Sequence, residues 1–171
     1  MPGSPAPTPQ PSEWRIGQGW DSHAFAAGRR LWLGGVELPH ERGLAGHSDG
    51  DVLSHAICDA IFGALGAGDI GTHFPPGEPR WRNASSLQFL EAARAAANQQ
   101  GWRIANVDST VILAAPKLTP YRAAMQQRLA AALGLSLDDV SVKAKTPEGL
   151  PFGGEIAMAQ AVVLLARANA E

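Results

Sequence analysis

The chain has 171 residues, a formal net charge of -2 and 45% hydrophobic residues, which is typical of one globular domain with an ordinary core. Its 14 Lys and Arg residues do not cluster, so neither nucleic acid nor an anionic membrane is an expected partner. Cys58 is the only cysteine, which excludes a disulfide framework and favours a reducing cytoplasm. No apolar run is long enough to span a bilayer, and no signal peptide is recognisable.

Residues 1–13 contain five prolines among small polar residues, and we predict a disordered tail there, followed by one domain over 14–171. Residues 14–25 then have a strand-like pattern that includes Gly17 and Gly19. A dinucleotide-binding loop needs a third glycine and a following helix, and neither is present, so we reject that motif. Instead, the two glycines are expected to let another backbone approach the strand closely.

Residues 31–39 resemble a short hairpin, and a helix is predicted over about 49–66. Ser48 or Asp49 can cap this helix, and Gly66 can end it. Its core-facing stripe consists of Leu53, Ile57, Ile61 and Leu65. The segment 69–79 is rich in proline and glycine, which is typical of a long irregular loop that serves as a functional flap.

The second half of the chain alternates between helices and strands. We predict a helix from Ser85 or Ser86 to about Gln100, a strand over 104–113 and a helix that ends near Gly134. Further strands are predicted over 140–145 and 156–166. The predicted fold is therefore an α/β sandwich, in which helices pack on a single mixed β-sheet.

Side chains that can bind a metal ion occur on two of these elements. Asp21 and His23 are two residues apart, so they project from the same face of an extended strand. Together with His55 on the first helix, they supply the two imidazoles and one carboxylate of a catalytic zinc site with one open position. Asp59, one turn further along, is predicted to accept the free N–H of His55. Taken singly, these residues are equally typical of a polar strand end and of a hydrogen-bonded structural histidine.

Two other segments could contact phosphate groups. His47 and Ser48 precede the first helix, where free backbone N–H groups favour an anion, although Ser48 would also serve as a plain N-cap. Thr146 and Glu148 follow a predicted strand, and a carboxylate beside phosphate oxygens suits Mg²⁺. Without further context, the second segment is also an ordinary surface turn.

Five separated motifs occur together in the order and spacing of a known family. They are Gly17-x-Gly19-x-Asp21-x-His23, His47-Ser48-Asp49-Gly50-Asp51 with His55 and Asp59, Gly68-Asp69-Ile70-Gly71 with Phe74-Pro75, Ala115-Pro116-Lys117, and Lys143-Ala144 with Thr146 and Glu148. With these motifs, everything after the proline-rich tail resembles the 2-C-methyl-D-erythritol 2,4-cyclodiphosphate synthases of non-mevalonate isoprenoid biosynthesis. The resemblance implies a ferredoxin-like α/β fold, a single catalytic domain, and a cytoplasmic homotrimer with active sites between its subunits.

The reaction that the resemblance implies is intramolecular. The 2-phosphate of 4-diphosphocytidyl-2-C-methyl-D-erythritol 2-phosphate attacks the β-phosphorus, CMP leaves, and a cyclic diphosphate closes. Such an enzyme is a phosphorus–oxygen lyase, and its main task is to align two anions and neutralise their charge. The implied cofactors are one Zn²⁺ per active site and Mg²⁺ or Mn²⁺ with the substrate phosphates.

The roles of individual residues follow from the positions that match the family. The implied metal-binding residues are Asp21, His23 and His55 for zinc and Glu148 for magnesium. The implied transition-state-stabilising residues are His47 and Thr146. The implied substrate contacts are Asp69, Ile70 and Gly71 at the ribose, Leu113, Pro116, Lys117, Leu118 and Thr119 at the cytosine, and Ser48, Phe74, Pro75, Glu78 and Phe152 around the methylerythritol.

Two segments depart from the family pattern. Pro76, Gly77 and Glu78 replace a loop that carries aspartates in many relatives, and only Glu78 among them can accept a hydroxyl. The loop after Phe152 is shorter than usual and lacks a phosphate-contacting arginine. We expect Lys145, where a threonine is common, to supply part of that positive charge.

Two other functions use similar residues. A mononuclear iron oxygenase also has two histidines and a carboxylate, but such sites usually present a histidine before the carboxylate on a barrel strand. A trimeric, metal-stabilised binding protein would hold cytidine nucleotides without releasing CMP. Metal analysis tests the first alternative, and product analysis tests the second.

Overall fold

The computed structural model describes residues 12–149 and 154–168, so Phe152 and most of the predicted tail lie outside the described residues. The strands are β1 (Trp14–Ala27), β2 (Leu31–Leu33), β3 (Val36–Leu38), β4 (Arg42–Leu44), β5 (Trp102–Ile112), β6 (Val140–Lys145) and β7 (Ile156–Arg167). The helices are α1 (Val52–Leu65), α2 (Ile70–His73), α3 (Leu87–Gln99) and α4 (Arg122–Leu133). Short 3₁₀ turns span Pro79–Trp81, Thr119–Tyr121 and Leu137–Asp139.

Five strands form one mixed sheet in the order β4-β1-β7-β5-β6. β5 and β6 are parallel, whereas the other neighbouring strands are antiparallel. The prediction of a single mixed sheet packed with helices is therefore confirmed, as is the hairpin, which consists of β2 and β3. β4 was not predicted, because three residues are too few for a period of two to be visible.

Gly17 and Gly19 place α1 directly against β1. A Cβ atom on Gly17 would lie 1.9 Å from the carbonyl oxygen of Ala60, and one on Gly19 would lie 2.0 Å from that of Ala56. Only glycine permits so close an approach, because any side chain would overlap the helix backbone. The expected contact with another backbone is confirmed, and it fixes the height of α1 above β1.

Helix α1 is buried on nearly every side, between the sheet and α3. The predicted core stripe is buried: Leu53, Ile57, Ile61 and Leu65. The helix begins at Val52 rather than near Asp49, because its N-cap is Asp51 instead of Ser48 or Asp49. It ends at Gly66, whose φ of 67° is the left-handed conformation typical of a C-cap glycine.

The Asp51 carboxylate closes the start of α1. It is fully buried and accepts the backbone N–H groups of Gly34 at 2.8 Å, Gly35 at 2.7 Å and Ser54 at 3.1 Å. The Ser54 hydroxyl donates to it as well, at 2.8 Å. The carboxylate therefore takes one free N–H group of the helix start, that of Ser54, and the predicted binding of a phosphate in front of this helix stays a prediction.

The remaining elements agree with the predicted ones to within a few residues. α3 follows Ser86, α4 ends before Gly134, and β6 spans the predicted residues. The loop predicted over 69–79 contains the short helix α2, since the Asp69 carboxylate caps it by accepting the N–H of Thr72 at 2.8 Å. None of the helices in the described part of the chain has the length and apolar character needed to cross a bilayer.

The two faces of the sheet differ in exposure. Alternate residues of β7 are buried: Ala157, Ala159, Ala161, Val163 and Leu165. On β1, Gly17 and Gly19 face α1, whereas Ile16 and Trp20 project from the opposite face and are 71% and 54% exposed. The single chain thus has large apolar side chains in solvent along β1.

Candidate active site

Two residues of β1 and one residue of α1 bring three metal-binding atoms together. Asp21 Oδ2 lies 2.8 Å from His23 Nε2 and 2.9 Å from His55 Nδ1, and the two nitrogens are 3.0 Å apart. The other oxygen of Asp21 accepts the N–H of Ser22 at 2.8 Å, which keeps Oδ2 directed at the histidines. The structure therefore groups the three predicted zinc ligands as a possible metal site.

The chemistry of these three atoms fits a divalent ion. Four ligands in a tetrahedron at zinc distances of about 2.0–2.1 Å lie about 3.3 Å from one another, slightly further apart than the observed atoms. Two imidazole nitrogens and a carboxylate oxygen all offer lone pairs at the same point. A shared proton satisfies two of these atoms, whereas a central cation satisfies all three.

Negative charge surrounds His55. Burial lowers the pKa of its imidazole, but the hydrogen bond and charge of Asp21 and the charges of Asp51 and Asp49 outweigh burial and raise the pKa. Burial raises the pKa of the Asp21 carboxyl, but hydrogen bonds and charges from His23 and His55 hold the pKa well below its usual range. Both shifts correspond to an ionised Asp21 beside a cationic partner, an arrangement of charge that a divalent ion would also satisfy.

The second nitrogen of His55 bonds to Ser86 rather than to Asp59. His55 Nε2 lies 2.9 Å from Ser86 Oγ and 3.1 Å from Ser48 Oγ. Asp59 instead accepts the backbone N–H of Ile70 at 2.7 Å and so holds the start of α2. The prediction for Asp59 is therefore wrong. Ser86 offered no signal in the sequence beyond that of a helix N-cap.

A cavity of about 200 Å³, here called the first cavity, adjoins the three donor atoms. Several residues with a predicted role line it: His47, Ser48, Ile70, Gly71 and Phe74. Pro76, Trp81 and Phe89 also line it, and no role was predicted for Trp81 or Phe89. Phe74 stacks on Phe89 with ring centroids 4.4 Å apart and meets Trp81 edge-on at 5.1 Å. Aromatic rings thus form an apolar wall beside the charged donors.

A second cavity, of about 160 Å³, lies where β5 and β6 end. The predicted residues that line it are Leu113, Pro116, Lys117, Leu118, Thr119, Lys145 and Thr146. Asp21 pairs with Ala159, Ala159 with Val111, and Val111 with Ala144. Asp21 at the first cavity and Ala144 at the second are therefore three strand spacings apart, which is about 14 Å across the sheet. His47 and Thr146 therefore belong to different cavities of one chain.

The carboxylates of two predicted substrate contacts have partners within the chain. Asp69 lines neither cavity, and its carboxylate accepts the N–H and the hydroxyl of Thr72, both at 2.8 Å. The Glu78 carboxylate pairs with Arg80. The main chain of Glu78 is nevertheless close to the first cavity, because its carbonyl oxygen accepts a bond from His47 Nε2 at 3.2 Å.

The end of β6 carries the residues predicted to act with magnesium. The Thr146 hydroxyl donates to the Glu148 carboxylate, and both residues are exposed. Glu148 has a φ of 47°, a strained conformation for a residue with a side chain and one that is frequent at functional sites.

Two predicted methylerythritol contacts remain. Pro75 lines neither cavity. Phe152 lies outside the described residues, so its predicted contact stays a prediction.

Comparison with known proteins identifies the family. The model of the YgbB family matches residues 14–166. The chain belongs to the YgbB family. Similar proteins include the 2-C-methyl-D-erythritol 2,4-cyclodiphosphate synthase of Solibacter usitatus, 56% identical over 156 residues that cover 90% of this chain and 98% of that protein. The synthase of Xanthomonas oryzae pv. oryzae is 52% identical over 156 residues, covering 90% and 96%.

A solved structure also resembles this YgbB family chain. It is a CDP-bound form of a 2C-methyl-D-erythritol-2,4-cyclodiphosphate synthase, with a TM-score of 0.83 and 40% sequence identity. The match covers 88% of this chain and 99% of that chain. The resemblance inferred from the five motifs and the predicted fold class are therefore both confirmed.

Proposed function

We propose that the chain converts 4-diphosphocytidyl-2-C-methyl-D-erythritol 2-phosphate to 2-C-methyl-D-erythritol 2,4-cyclodiphosphate and CMP, a step of non-mevalonate isoprenoid biosynthesis. An oxygen of the 2-phosphate forms a bond to the β-phosphorus, and the bond from that phosphorus to the oxygen that leaves with CMP breaks. The observation that carries the proposal is the convergence of Asp21, His23 and His55 beside His47. Relatives more than 50% identical over 90% of the chain carry the name of this enzyme.

We assign Asp21, His23 and His55 to one Zn²⁺. Held by these three residues, such an ion would act as a Lewis acid and draw charge from a phosphate oxygen of the substrate. His47 lines the same cavity, so its imidazole can donate a hydrogen bond to a phosphate oxygen as negative charge develops there. The aromatic wall of the cavity excludes water, which protects ring closure from hydrolysis.

We assign the second cavity to the cytidine end of the substrate. The segment 113–119 offers main-chain donors and acceptors to the cytosine, and the Thr146 hydroxyl and the Lys145 ammonium lie beside the phosphates. Glu148 is assigned to Mg²⁺ or Mn²⁺ that arrives with those phosphates. The CDP-bound form of a relative supports a cytidine nucleotide as the ligand.

We further propose a homotrimer with active sites between its subunits. His47 and Thr146 are assigned to one reaction, yet in one chain they line cavities about 14 Å apart. A second copy can bring its second cavity to the first cavity of its neighbour. The exposed Ile16 and Trp20 supply an apolar surface that such an assembly would bury.

We assign the activity to a single catalytic domain over 14–171, with residues 1–13 as a tail, in the cytoplasm. The matched family region, 14–166, runs from the start of β1 almost to the end of β7 and supports one continuous unit. Cys58 is a free, buried thiol, a state that suits a reducing compartment.

The test is a product assay with purified protein and the cytidyl substrate. CMP and the cyclic diphosphate should appear in equal amounts, a chelator should stop both, and added Zn²⁺ and Mg²⁺ should restore them. His23→Ala should be inactive, whereas His40→Ala, whose imidazole contacts Arg42 outside both cavities, serves as the matched control.

Each alternative function predicts a different result. Binding of CDP without release of CMP would identify a binding protein. Bound iron with consumption of oxygen would identify an oxygenase, although one ligand lies on a helix and β4 and β6 are the edges of an open sheet. Either result would refute the proposed reaction.

A further inference from the structure

We propose that Arg29 positions His47 for the reaction by fixing the main chain of the loop that carries it. The inference rests on the proposed function and concerns a residue to which the family resemblance gives no role. Arg29 lines neither the first nor the second cavity, so it is a positioning residue rather than a catalytic one.

Three main-chain groups of the loop between β4 and α1 are held from outside that loop. Arg29 donates from Nη2 to the carbonyl oxygen of Ser48. The His47 carbonyl accepts a backbone N–H of the segment 83–84 at 2.9 Å, and the Asp49 N–H donates to a carbonyl of the same segment at 3.0 Å. Because three consecutive residues are tied in this way, the main chain that carries the His47 imidazole has little freedom to shift.

The bond from Arg29 comes from a different part of the fold from the other two. Arg29 belongs to the turn directly after β1, the strand that carries Asp21 and His23. A Cβ atom on Gly43 would lie 2.1 Å from the carbonyl oxygen of Arg30, so this turn packs directly against β4. Arg29 therefore links the loop to the strand of two proposed metal ligands.

The two neighbouring arginines of this turn differ in their partners. Arg30 pairs with Glu37 at 3.1 Å, and its side chain is 75% exposed. Arg29 is half-buried, and among the described residues no carboxylate lies within ion-pair distance of it. Its bond to the carbonyl of the buried Ser48 is charge-assisted and hence roughly twice as strong as a bond between neutral groups. Arg29 thus holds the loop, whereas Arg30 does not.

The position of this loop matters because the proposed reaction depends on alignment. His47 lines the first cavity beside the metal-binding atoms, and a displacement of about 1 Å near a reacting group can cost about 10²-fold in rate. Without Arg29, the loop keeps its bonds to the segment 83–84 but loses its link to the β1 side. The metal-binding atoms themselves stay in place, since Arg29 contacts none of them.

The first test is a double-mutant cycle in the full-length chain with the cytidyl substrate. Arg29→Ala should lower kcat per bound zinc by about 10- to 100-fold. In a His47→Ala background, the same substitution should lower kcat by less than twofold, because the side chain that Arg29 positions is already gone. A purely structural role predicts the same loss in both backgrounds, and that result would overturn the proposal.

Arg30→Ala is the matched control, because Arg30 is the next residue of the same turn and its ion pair is exposed. It should leave kcat within twofold in both backgrounds, and a loss equal to that of Arg29→Ala would overturn the proposal. Arg29→Ala should also bind Zn²⁺ with a Kd within twofold of the wild-type value, measured by competition with a chromophoric chelator. Weaker zinc binding would show that Arg29 acts on the metal site instead.

A crystal structure of the wild-type protein tests the contact without any variant. The guanidinium of Arg29 should lie within hydrogen-bond distance of the Ser48 carbonyl oxygen. A guanidinium that points into solvent would overturn the proposal.

The proposed function and the role of Arg29 fail in different ways. A wild-type chain that releases no CMP would refute the proposed function and the role of Arg29 with it. A wild-type chain that releases CMP, together with equal losses from Arg29→Ala in both backgrounds, would refute the role of Arg29 alone.

Discussion

The first cavity has buried residues at its end near His55, whereas the second cavity is lined mainly by exposed residues that follow strands β5 and β6. Ser48 and His55 are only 5% and 8% exposed, and both are fixed by hydrogen bonds to neighbouring elements. At the second cavity, Lys145 and Thr146 are exposed, and Thr146 bonds only to the adjacent Glu148 among the described residues.

This difference in exposure indicates which part of the proposed site one chain forms by itself. The metal-binding side is preorganised, because its donors lie on a long strand and a buried helix whose separation is set by glycine contacts. The second cavity, which we assign to the nucleotide, is lined by chain segments that follow β5 and β6 and are largely exposed to solvent. We expect this side to take its final form only against a second subunit.

The largest effect on activity is expected from substitutions that remove one residue of either cavity. His55→Ala removes a metal ligand and should lower kcat/KM by at least roughly 10³-fold, and Thr146→Ala should lower it by roughly 10²-fold. If the sites lie between subunits, co-assembled His55→Ala and Thr146→Ala chains should form some intact sites. Random pairing would restore roughly a quarter of the wild-type activity. A mixture no more active than its separate components would indicate that each site belongs to one chain.

The next effect tests the close packing beneath the first cavity. Gly19→Ala should lower the free energy of unfolding by about 3 kcal/mol or more and weaken zinc binding, because its Cβ would overlap the Ala56 carbonyl. Gly63→Ala is the control on the facing helix. Its Cβ meets only the Gln18 carbonyl at 3.7 Å, so alanine should stabilise the helix by about 0.5–1 kcal/mol. Urea unfolding measures both changes, and equal stabilities would contradict the packing argument.

A smaller effect on stability is expected from replacing Asp51, the N-cap of α1. Asp51→Asn cannot accept all four hydrogen bonds, so it should cost about 2–3 kcal/mol of unfolding free energy. Asp138→Asn, at an exposed position, should change stability by less than about 0.5 kcal/mol. An Asp51→Asn chain as stable as the Asp138→Asn chain would show that these bonds do not hold the first cavity together.

The smallest effect concerns the charge at the second cavity. Lys145→Ala should raise the KM for the cytidyl substrate by about 3- to 10-fold with little change in kcat, since an ammonium beside the phosphates binds substrate and transition state alike. Lys143→Ala is the matched control on the same strand, because its ammonium is already paired with Asp108 at 2.5 Å. An unchanged KM in Lys145→Ala would refute the suggested replacement of the missing loop arginine.

Much of the fold could be predicted because local patterns encode it. The apolar stripe of α1 and the alternating residues of β6 follow the period of a helix and of a strand. The glycines that end α1 and α4 adopt a backbone conformation that depends on near neighbours in the sequence. β4 was not predicted, because it is short and its extended conformation depends on pairing with the distant strand β1. The helix start was misjudged by a few residues, since Asp51 caps it through contacts with the distant β2–β3 turn.

The sequence by itself determined the residue types and spacings of the metal-binding motif, because two strand positions and one helix position carry the donors whatever surrounds them. Only the tertiary structure decided that Ser86, rather than Asp59, bonds to His55, and that the predicted residues divide between two cavities. The physical reason is distance along the chain. His55 and Ser86 are 31 positions apart and come into contact only because α3 packs against α1. No local sequence pattern indicates which hydroxyl this packing places beside His55.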